Sequence, residues 1–149
     1  MNVIWQRATR TDIPAIVALL RDDALGAGRE TDDLARYIAA FEAMQAEGDN
    51  TLIVGKCDGA VIATYQITFI SGLSLRATRR AQIESVRVSS TMRGRGVGAA
   101  LMADAESRAR AAGCGLIQLT TNATRTRAHA FYTQLGFTPS HIGFKRELR

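Results

Sequence analysis

A glycine-rich stretch, Arg93–Ala99, limits what this chain can fold into more than any other feature. It follows a strand-like run, Ala81–Val88, and opens an Ala-rich run with helical spacing, Gly96–Ala112. Glycine permits a tight turn and lets a ligand approach the backbone. The first N–H groups of a helix are unpaired and lie at the positive end of its dipole. The stretch therefore predicts a strand–turn–helix unit that binds a phosphate or diphosphate. The predicted contacts come from Arg93, Gly94, Arg95, Gly96, Val97, Gly98 and Ala99.

Several interpretations of this turn can be compared on the residues alone. A Walker loop requires the pattern GxxxxGK[ST], and no such lysine follows these glycines. A dinucleotide site fits the loose pattern Gly94-x-Gly96-x-x-Ala99, but it calls for a carboxylate at the end of the next strand, where the chain has Thr120-Thr121-Asn122. A tight turn without a ligand is also compatible with the glycines.

Composition limits the class of protein. The 149 residues are 46% hydrophobic, which suits one domain, 1–149, with its own core. The net charge is +5, and only Lys56 and Lys145 among the basic residues are lysines. Because the arginines are scattered and no recognition module is evident, we expect no nucleic-acid partner. No apolar run reaches the length of a membrane span, no secretion signal is visible, and Cys57 and Cys114 form neither a disulfide framework nor a metal site. We expect a cytoplasmic protein without a metal.

The remaining patterns indicate a mixed α/β fold. A helix after Thr11 should end at Gly26 and Gly28, and Asp58-Gly59 should form a hairpin turn. The predicted strands are Val3–Arg7, Leu52–Cys57, Val61–Ile70, Ala81–Val88, Leu116–Thr120 and Pro139–Leu148, and the other predicted helices begin at Asp32 or Asp33 and cover Gly96–Ala112 and Thr126–Leu135. Within the fourth strand the apolar residues change from odd to even positions between Ile83 and Val86. A β-bulge, or a strand buried on both faces, would produce this change.

Three motifs carry a family resemblance. Arg93-x-x-Gly96-x-Gly98 resembles the cofactor-binding element of the GNAT superfamily of N-acetyltransferases, and Val86-Arg87-Val88 is similar to the end of that family's fourth strand. Ala128-x-x-Phe131-Tyr132-x-x-Leu135-Gly136-Phe137 is similar to its C-terminal motif. The resemblance covers residues 50–149 well and the first 50 residues in outline.

The resemblance implies a mostly antiparallel sheet of six to seven strands with about four helices, splayed between its fourth and fifth strands. It implies acetyl-CoA as cosubstrate, with backbone groups of Val86, Arg87 and Val88 along the acetyl and pantetheine part. Arg93–Ala99 would hold the diphosphate. Arg125 lies where many members carry Asn, so Asn122 is a further candidate contact.

Acetyl transfer to an amine requires a proton acceptor for the amine and a proton donor for the departing thiolate. Glu84 is the candidate base, because it falls on the same alternate positions as Val86 and Val88 and would face the cofactor slot with them if the bulge lies before Glu84; the alternative is an ion pair with Arg87 or Arg79. Tyr132 is the candidate acid because a phenol with a pKa near 10 suits donation to a thiolate; the alternative is a core aromatic. A peptide N–H near Val86 is the candidate donor to the oxyanion.

The sequence leaves the acceptor open. The first hypothesis is acetylation of a small-molecule amine by direct attack in a ternary complex. The alternatives are an acetyl-CoA-binding regulatory module without catalysis and acetylation of a protein N-terminus or lysine. Gln66 and Thr68 are candidates for the acceptor pocket, residues 26–50 are expected to form its wall, and a homodimer through edge strands is a further expectation.

Overall fold

The computed structural model describes residues 1–148, apart from the side chain of Ala24. They divide into two compact units, Met1–Gln118 and a second that begins at Leu119. One sheet has the strand order β1-β2-β3-β4-β5, and its first three pairs are antiparallel. The strands are β1 (Ile4–Arg7), β2 (Asn50–Cys57), β3 (Ala60–Ile70), β4 (Arg80–Val88) and β5 (Leu116–Leu119). The expected antiparallel character is confirmed, whereas the single-domain organisation stays a prediction.

Six helices accompany these strands in the described residues, rather than the four expected. They are α1 (Ile13–Arg21), α2 (Ala24–Arg29), α3 (Leu34–Glu47), α4 (Ser74–Ala77), α5 (Val97–Ala111) and α6 (Thr126–Gln134). Gly26 and Gly28 lie inside α2, so the prediction that they end the first helix is wrong. The reason is local, because the Asp23 side chain caps α2 by accepting from the Gly26 N–H at 2.5 Å.

The prediction of a final strand at Pro139–Leu148 is also wrong. The described residues form five strands rather than six or seven. Ile142 and Phe144 alternate as strand residues do, but they are 83% and 92% exposed. Alternation alone does not make a strand, because each strand needs a neighbour to pair its backbone N–H and C=O groups.

The two faces of the sheet carry different side chains. One face, here called the α1 face, packs Val54 against Ile13, Ile16 and Val17 of α1 and against Phe41 of α3. Directly paired residues of antiparallel strands share a face. The α1 face therefore continues from Val54 to Thr64 and Arg87, from Leu52 to Gln66 and Glu84, and from Asn50 to Thr68 and Gln82.

The opposite face, here called the α5 face, is covered by helix α5. Tyr65 is fully buried there, and its hydroxyl donates to Asp104 Oδ2 at 2.5 Å. Arg108 Nε donates to the same oxygen at 2.8 Å, and Arg108 Nη2 donates to the Trp5 carbonyl at 3.3 Å. Burial first, and then the hydrogen bond to Asp104, raise the pKa of Tyr65, so its phenol stays protonated. These contacts fix α5 against strands β1 and β3.

Candidate active site

A β-bulge interrupts the pairing of β3 with β4. Gln66 pairs with Glu84 and Thr64 pairs with Arg87, so two residues, Ser85 and Val86, lie opposite one residue of β3. Ser85 has φ of 54°, a left-handed conformation that a bulge accommodates. The predicted bulge is confirmed. Its extra residue takes backbone of β4 out of the ladder, and the Val86 carbonyl there accepts from Arg87 Nη1 at 2.9 Å.

The bulge lies after Glu84, and this corrects one expectation. Because the register shifts between Glu84 and Arg87, Glu84 lies on the α1 face with Gln66, whereas Val88 pairs with Ala63 on the α5 face. The condition for Glu84 to share a face with Val88, a bulge that lies before Glu84, is therefore not met. Counting alternate residues assigns side chains to a face correctly only within an uninterrupted strand, and the bulge interrupts this one.

Neither of the ion pairs considered for Glu84 is present. Arg87 Nε lies 2.9 Å from Asp23 Oδ2, and Arg79 Nη2 lies 3.9 Å from Asp49 Oδ1. Within residues 1–148, the exposed carboxylate of Glu84 has no ion pair or hydrogen bond. A carboxylate without an ion pair in the described residues therefore lies next to the bulge.

The glycine-rich turn has the geometry that an anion site requires. Gly94 and Gly96 have φ of 75° and 80°, and a Cβ built on either would meet no atom within 4 Å. Helix α5 begins at Val97, and its first hydrogen bond runs from the Ala100 N–H to the Gly96 carbonyl at 3.1 Å. The preceding N–H groups therefore face the open end of the helix. This arrangement fits the diphosphate of a coenzyme, held by backbone N–H groups.

The arginines at this turn differ in what they contact. Arg93 Nη2 donates to the Asp22 carbonyl at 3.2 Å, and Arg95 Nη1 lies 3.4 Å from Met92 Sδ. Both side chains are at the exposed start of α5, where their charge adds to the helix dipole. The Arg87 side chain instead forms an ion pair with Asp23. A contact of the Arg87 backbone with the cosubstrate stays a prediction.

The corner between α1 and α2 is tied to this turn, which the sequence did not predict. Asp22 Oδ2 accepts from the Ser90 N–H at 3.0 Å. That backbone hydrogen bond is the main cause of the lowered pKa of Asp22. Asp23 both caps α2 and pairs with Arg87. The only sequence signal was two adjacent acids at the end of a predicted helix, and the partners lie more than 60 residues away.

The second unit carries the other two predicted site residues. Asn122 Oδ1 accepts from the Thr124 N–H at 3.0 Å and from Thr124 Oγ1 at 2.7 Å, while its carbonyl lies 3.0 Å from His129 Nε2. Asn122 thus shapes the turn before α6. A contact of Asn122 with the cosubstrate stays a prediction.

Tyr132 belongs to a helix end of the predicted kind. Gly136 has φ of 93°, and the Phe137 N–H donates to the Tyr132 carbonyl at 3.0 Å, which together form a Schellman motif. The Tyr132 ring contacts Phe131 and Phe137 edge-on, with centroids 5.1 and 5.8 Å apart. The predicted contact of Phe137 with this helix is confirmed, and the catalytic role of Tyr132 stays a prediction.

Neither a metal-binding cluster nor a membrane-spanning helix is found in the residues that the structure describes. In residues 1–148, no three His, Cys, Asp or Glu side chains come together in a way that would hold a metal ion. In the same residues, no helix has the length and apolar character needed to cross a bilayer.

The bulge, the open glycine turn and the helix behind it have the arrangement expected of a protein that binds a diphosphate-containing cosubstrate. A family profile described as the acetyltransferase (GNAT) family matches residues 13–137. The chain therefore belongs to the GNAT family of acetyl-CoA-dependent N-acetyltransferases.

Three individual proteins show what this chain is similar to. A Bacillus halodurans protein described as a transcriptional regulator is 39% identical and superposes with a TM-score of 0.94, covering 99% of this chain and 100% of its own. An Agrobacterium tumefaciens protein assigned provisionally as an acetyltransferase is 28% identical, with a TM-score of 0.84 over 97% of this chain and 99% of its own. The aminoalkylphosphonate N-acetyltransferase of Salmonella typhimurium is 42% identical over 67 residues, which are 45% of this chain and 44% of that protein.

Proposed function

We propose that this protein transfers the acetyl group of acetyl-CoA to the amine of a small polar molecule. The observation that carries the proposal is the conjunction, within one unit, of the open turn at Gly96, the bulge at Ser85–Val86 and the unpaired carboxylate of Glu84. The turn suits the diphosphate, the bulge takes backbone of β4 out of the ladder, and Glu84 lies on the adjoining sheet face.

The chemistry assigned to these residues follows from what the reaction requires. Acetyl-CoA supplies the acetyl group as a thioester. The amine forms a C–N bond with the carbonyl carbon as the C–S bond breaks, in one ternary complex. Glu84 removes a proton from the incoming ammonium, directly or through a water. A peptide N–H at the bulge, near Val86, donates to the carbonyl oxygen.

The second proton transfer is assigned to Tyr132. Its phenol returns a proton to the coenzyme sulfur, so the thiol rather than the thiolate leaves. The support is the family's C-terminal motif, in which this tyrosine recurs, together with the ordered helix end that fixes its backbone. A coenzyme-binding role for Val86, Arg87, Val88, Arg93–Ala99 and Asn122 completes the proposal.

The polar character of the acceptor follows from the α1 face beside Glu84. Gln66, Thr68 and Gln82 lie there in register with Asn50 and Glu84. Amide and hydroxyl groups suit a ligand that carries hydrogen-bonding groups of its own. The Salmonella typhimurium relative, which acts on aminoalkylphosphonates, has an acceptor of this small polar kind.

A second function has one observation in its favour. The Bacillus halodurans relative is described as a transcriptional regulator. A regulatory module that binds acetyl-CoA without catalysis would keep the turn and the bulge but would need neither Glu84 nor Tyr132 as acid–base groups. We favour the enzyme because Glu84 has no structural partner within residues 1–148 that would account for it.

A thiol-release assay separates the two functions. The protein is incubated with acetyl-CoA and a panel of 2-aminoethylphosphonate, ethanolamine, glucosamine and n-butylamine, and free thiol is followed over time. The enzyme gives amine-dependent release with at least one polar amine. A protein that binds acetyl-CoA but releases no thiol above the amine-free rate is a regulatory module. The proposal further includes a cytoplasmic location and a homodimer through edge strands, and sedimentation velocity tests the latter.

A further inference from the structure

A chain of side-chain amides crosses the α1 face beside Glu84. Asn50 Nδ2 donates to Glu47 Oε2 at 2.9 Å. An ionised carboxylate only accepts hydrogen bonds. The contact therefore fixes which end of the Asn50 amide faces Glu47, and it turns Asn50 Oδ1 toward β3.

The orientation of Asn50 fixes that of Gln66 in turn. Asn50 Oδ1 accepts from Gln66 Nε2 at 2.7 Å and from Thr68 Oγ1 at 3.2 Å. Because Oδ1 is only an acceptor, the Gln66 amide must present its nitrogen to it. Gln66 Oε1 is then the free end of the amide, and it has no hydrogen-bond donor among residues 1–148.

Gln66 lies directly across the strand pair from Glu84. The two residues pair directly across β3 and β4, where Cβ atoms are about 4.5–5.5 Å apart. Both therefore offer oxygen acceptors on one face, next to the bulge. Neither nearby arginine neutralises them, since Arg87 pairs with Asp23 and Arg79 pairs with Asp49.

Two neighbouring acceptors without a donor match a ligand that brings several N–H groups. We infer that Gln66 Oε1 and the Glu84 carboxylate together bind the ammonium of the acceptor, and that the chain from Glu47 through Asn50 holds the Gln66 amide in the required orientation. The inference rests on the proposed function and deepens it. Gln66 becomes the residue that selects a primary ammonium and presents it to Glu84.

The neighbouring residues indicate what else the acceptor carries. Gln82 and Gln118 form a hydrogen bond with each other at 2.7 Å. Each amide has a donor end and an acceptor end, so this bond does not use the Gln82 Nε2 group or the Gln118 Oε1 atom. Gln82 lies on the α1 face in register with Thr68. The acceptor is therefore a primary amine with hydroxyl or other hydrogen-bonding substituents, rather than an alkylamine.

The test uses Gln66→Leu, which removes the amide, and Asn50→Ala, which removes the side chain that orients it. Kinetics are measured with the amine of the panel that gives the highest kcat/KM, with the KM for acetyl-CoA measured in parallel. Gln6→Leu, the same substitution on an exposed position of β1, is the control. A thermal-unfolding curve accompanies each variant.

In Gln66→Leu the KM for the amine should rise about tenfold or more, because a hydrogen bond to a charged group is lost. The KM for acetyl-CoA should stay within about twofold of the wild-type value. Gln6→Leu should keep the wild-type KM for the amine, and Asn50→Ala should raise it by less than Gln66→Leu does.

Three results would overturn the inference. An unchanged KM for the amine in Gln66→Leu, with the wild type active, removes Gln66 from acceptor binding and leaves the proposed function standing. An equal rise in the KM values for the amine and acetyl-CoA shows a general distortion of the sheet. Acetylation of none of the four amines by the wild type removes the proposed function itself, and the inference with it.

Discussion

Substituting Gly96 by alanine separates the role of this residue in folding from its role in binding. Gly96 has φ of 80°, and an added Cβ would meet no protein atom within 4 Å. Alanine in this left-handed conformation costs about 1 kcal/mol. For a domain of this size, that lowers Tm by about 2–4 °C. The variant should therefore fold.

Binding should suffer more than folding does in Gly96→Ala. The added methyl group would lie in the open space in front of the helix, which the diphosphate needs. Loss of one hydrogen bond to a charged group costs about 1.5–3 kcal/mol. We therefore expect the Kd for acetyl-CoA, measured by isothermal titration calorimetry, to rise about tenfold or more.

Gly113→Ala is a matched control at the other end of the same helix. Gly113 follows α5, has φ of 78°, and likewise has no atom within 4 Å of an added Cβ. Its alanine variant should show a similar fall in Tm with an unchanged Kd. Equal affinities for acetyl-CoA in the two variants would refute the assignment of the turn as the diphosphate site.

Four further substitutions test the remaining residues. Glu84→Gln should lower kcat at neutral pH and recover part of it at high pH, where free amine is present; an unchanged pH–rate profile removes Glu84 from the mechanism. Tyr132→Phe should lower kcat with little change in the Kd for acetyl-CoA, and full activity would contradict its role as the acid. Tyr65→Phe should lower the free energy of unfolding by about 1–3 kcal/mol in urea titrations, because the partly buried carboxylate of Asp104 loses a donor; a stability equal to the wild type would show that this bond is not needed. For Asp12, burial raises the pKa, but the Thr9 N–H and the Lys56 ammonium lower it by more, so the folded pKa lies below its ordinary 3.8. Its stabilising contribution should be present above pH 3.8 and be lost as the pH falls through the folded value, so Asp12→Asn should lose stability at pH 6 and lack this acid-side transition.

Local chemistry accounts for the parts of the structure that the sequence predicted. Asp58 and Gly59 both have positive φ, as the hairpin turn required. Gly136 and Phe137 end α6 through bonds that span only a few residues. The turn at Gly96 likewise depends on adjacent glycines and the helix that follows them. Each of these features is decided within a short stretch of chain.

The parts that the sequence did not predict depend on distant partners. The bulge was visible in the sequence as a change in the alternation of apolar residues. Its position after Glu84 is set by the pairing with β3, so the sequence did not predict which face of the sheet carries Glu84. Helix α2 forms in spite of two glycines because Asp23 caps it. The amide chain from Glu47 to Gln66 joins a helix to a strand across the register of β2 and β3, and nothing in the spacing of these residues indicates it.

The central claim is that backbone N–H groups around Gly96 hold the diphosphate of acetyl-CoA. The most direct measurement is an amide ¹H–¹⁵N NMR titration of the protein with acetyl-CoA and, separately, with S-acetylpantetheine, which lacks the diphosphate. Saturable shifts of the resonances from Gly94 to Ala99 with acetyl-CoA, but not with S-acetylpantetheine, are the predicted result. Binding of acetyl-CoA that leaves those resonances unmoved would contradict the account.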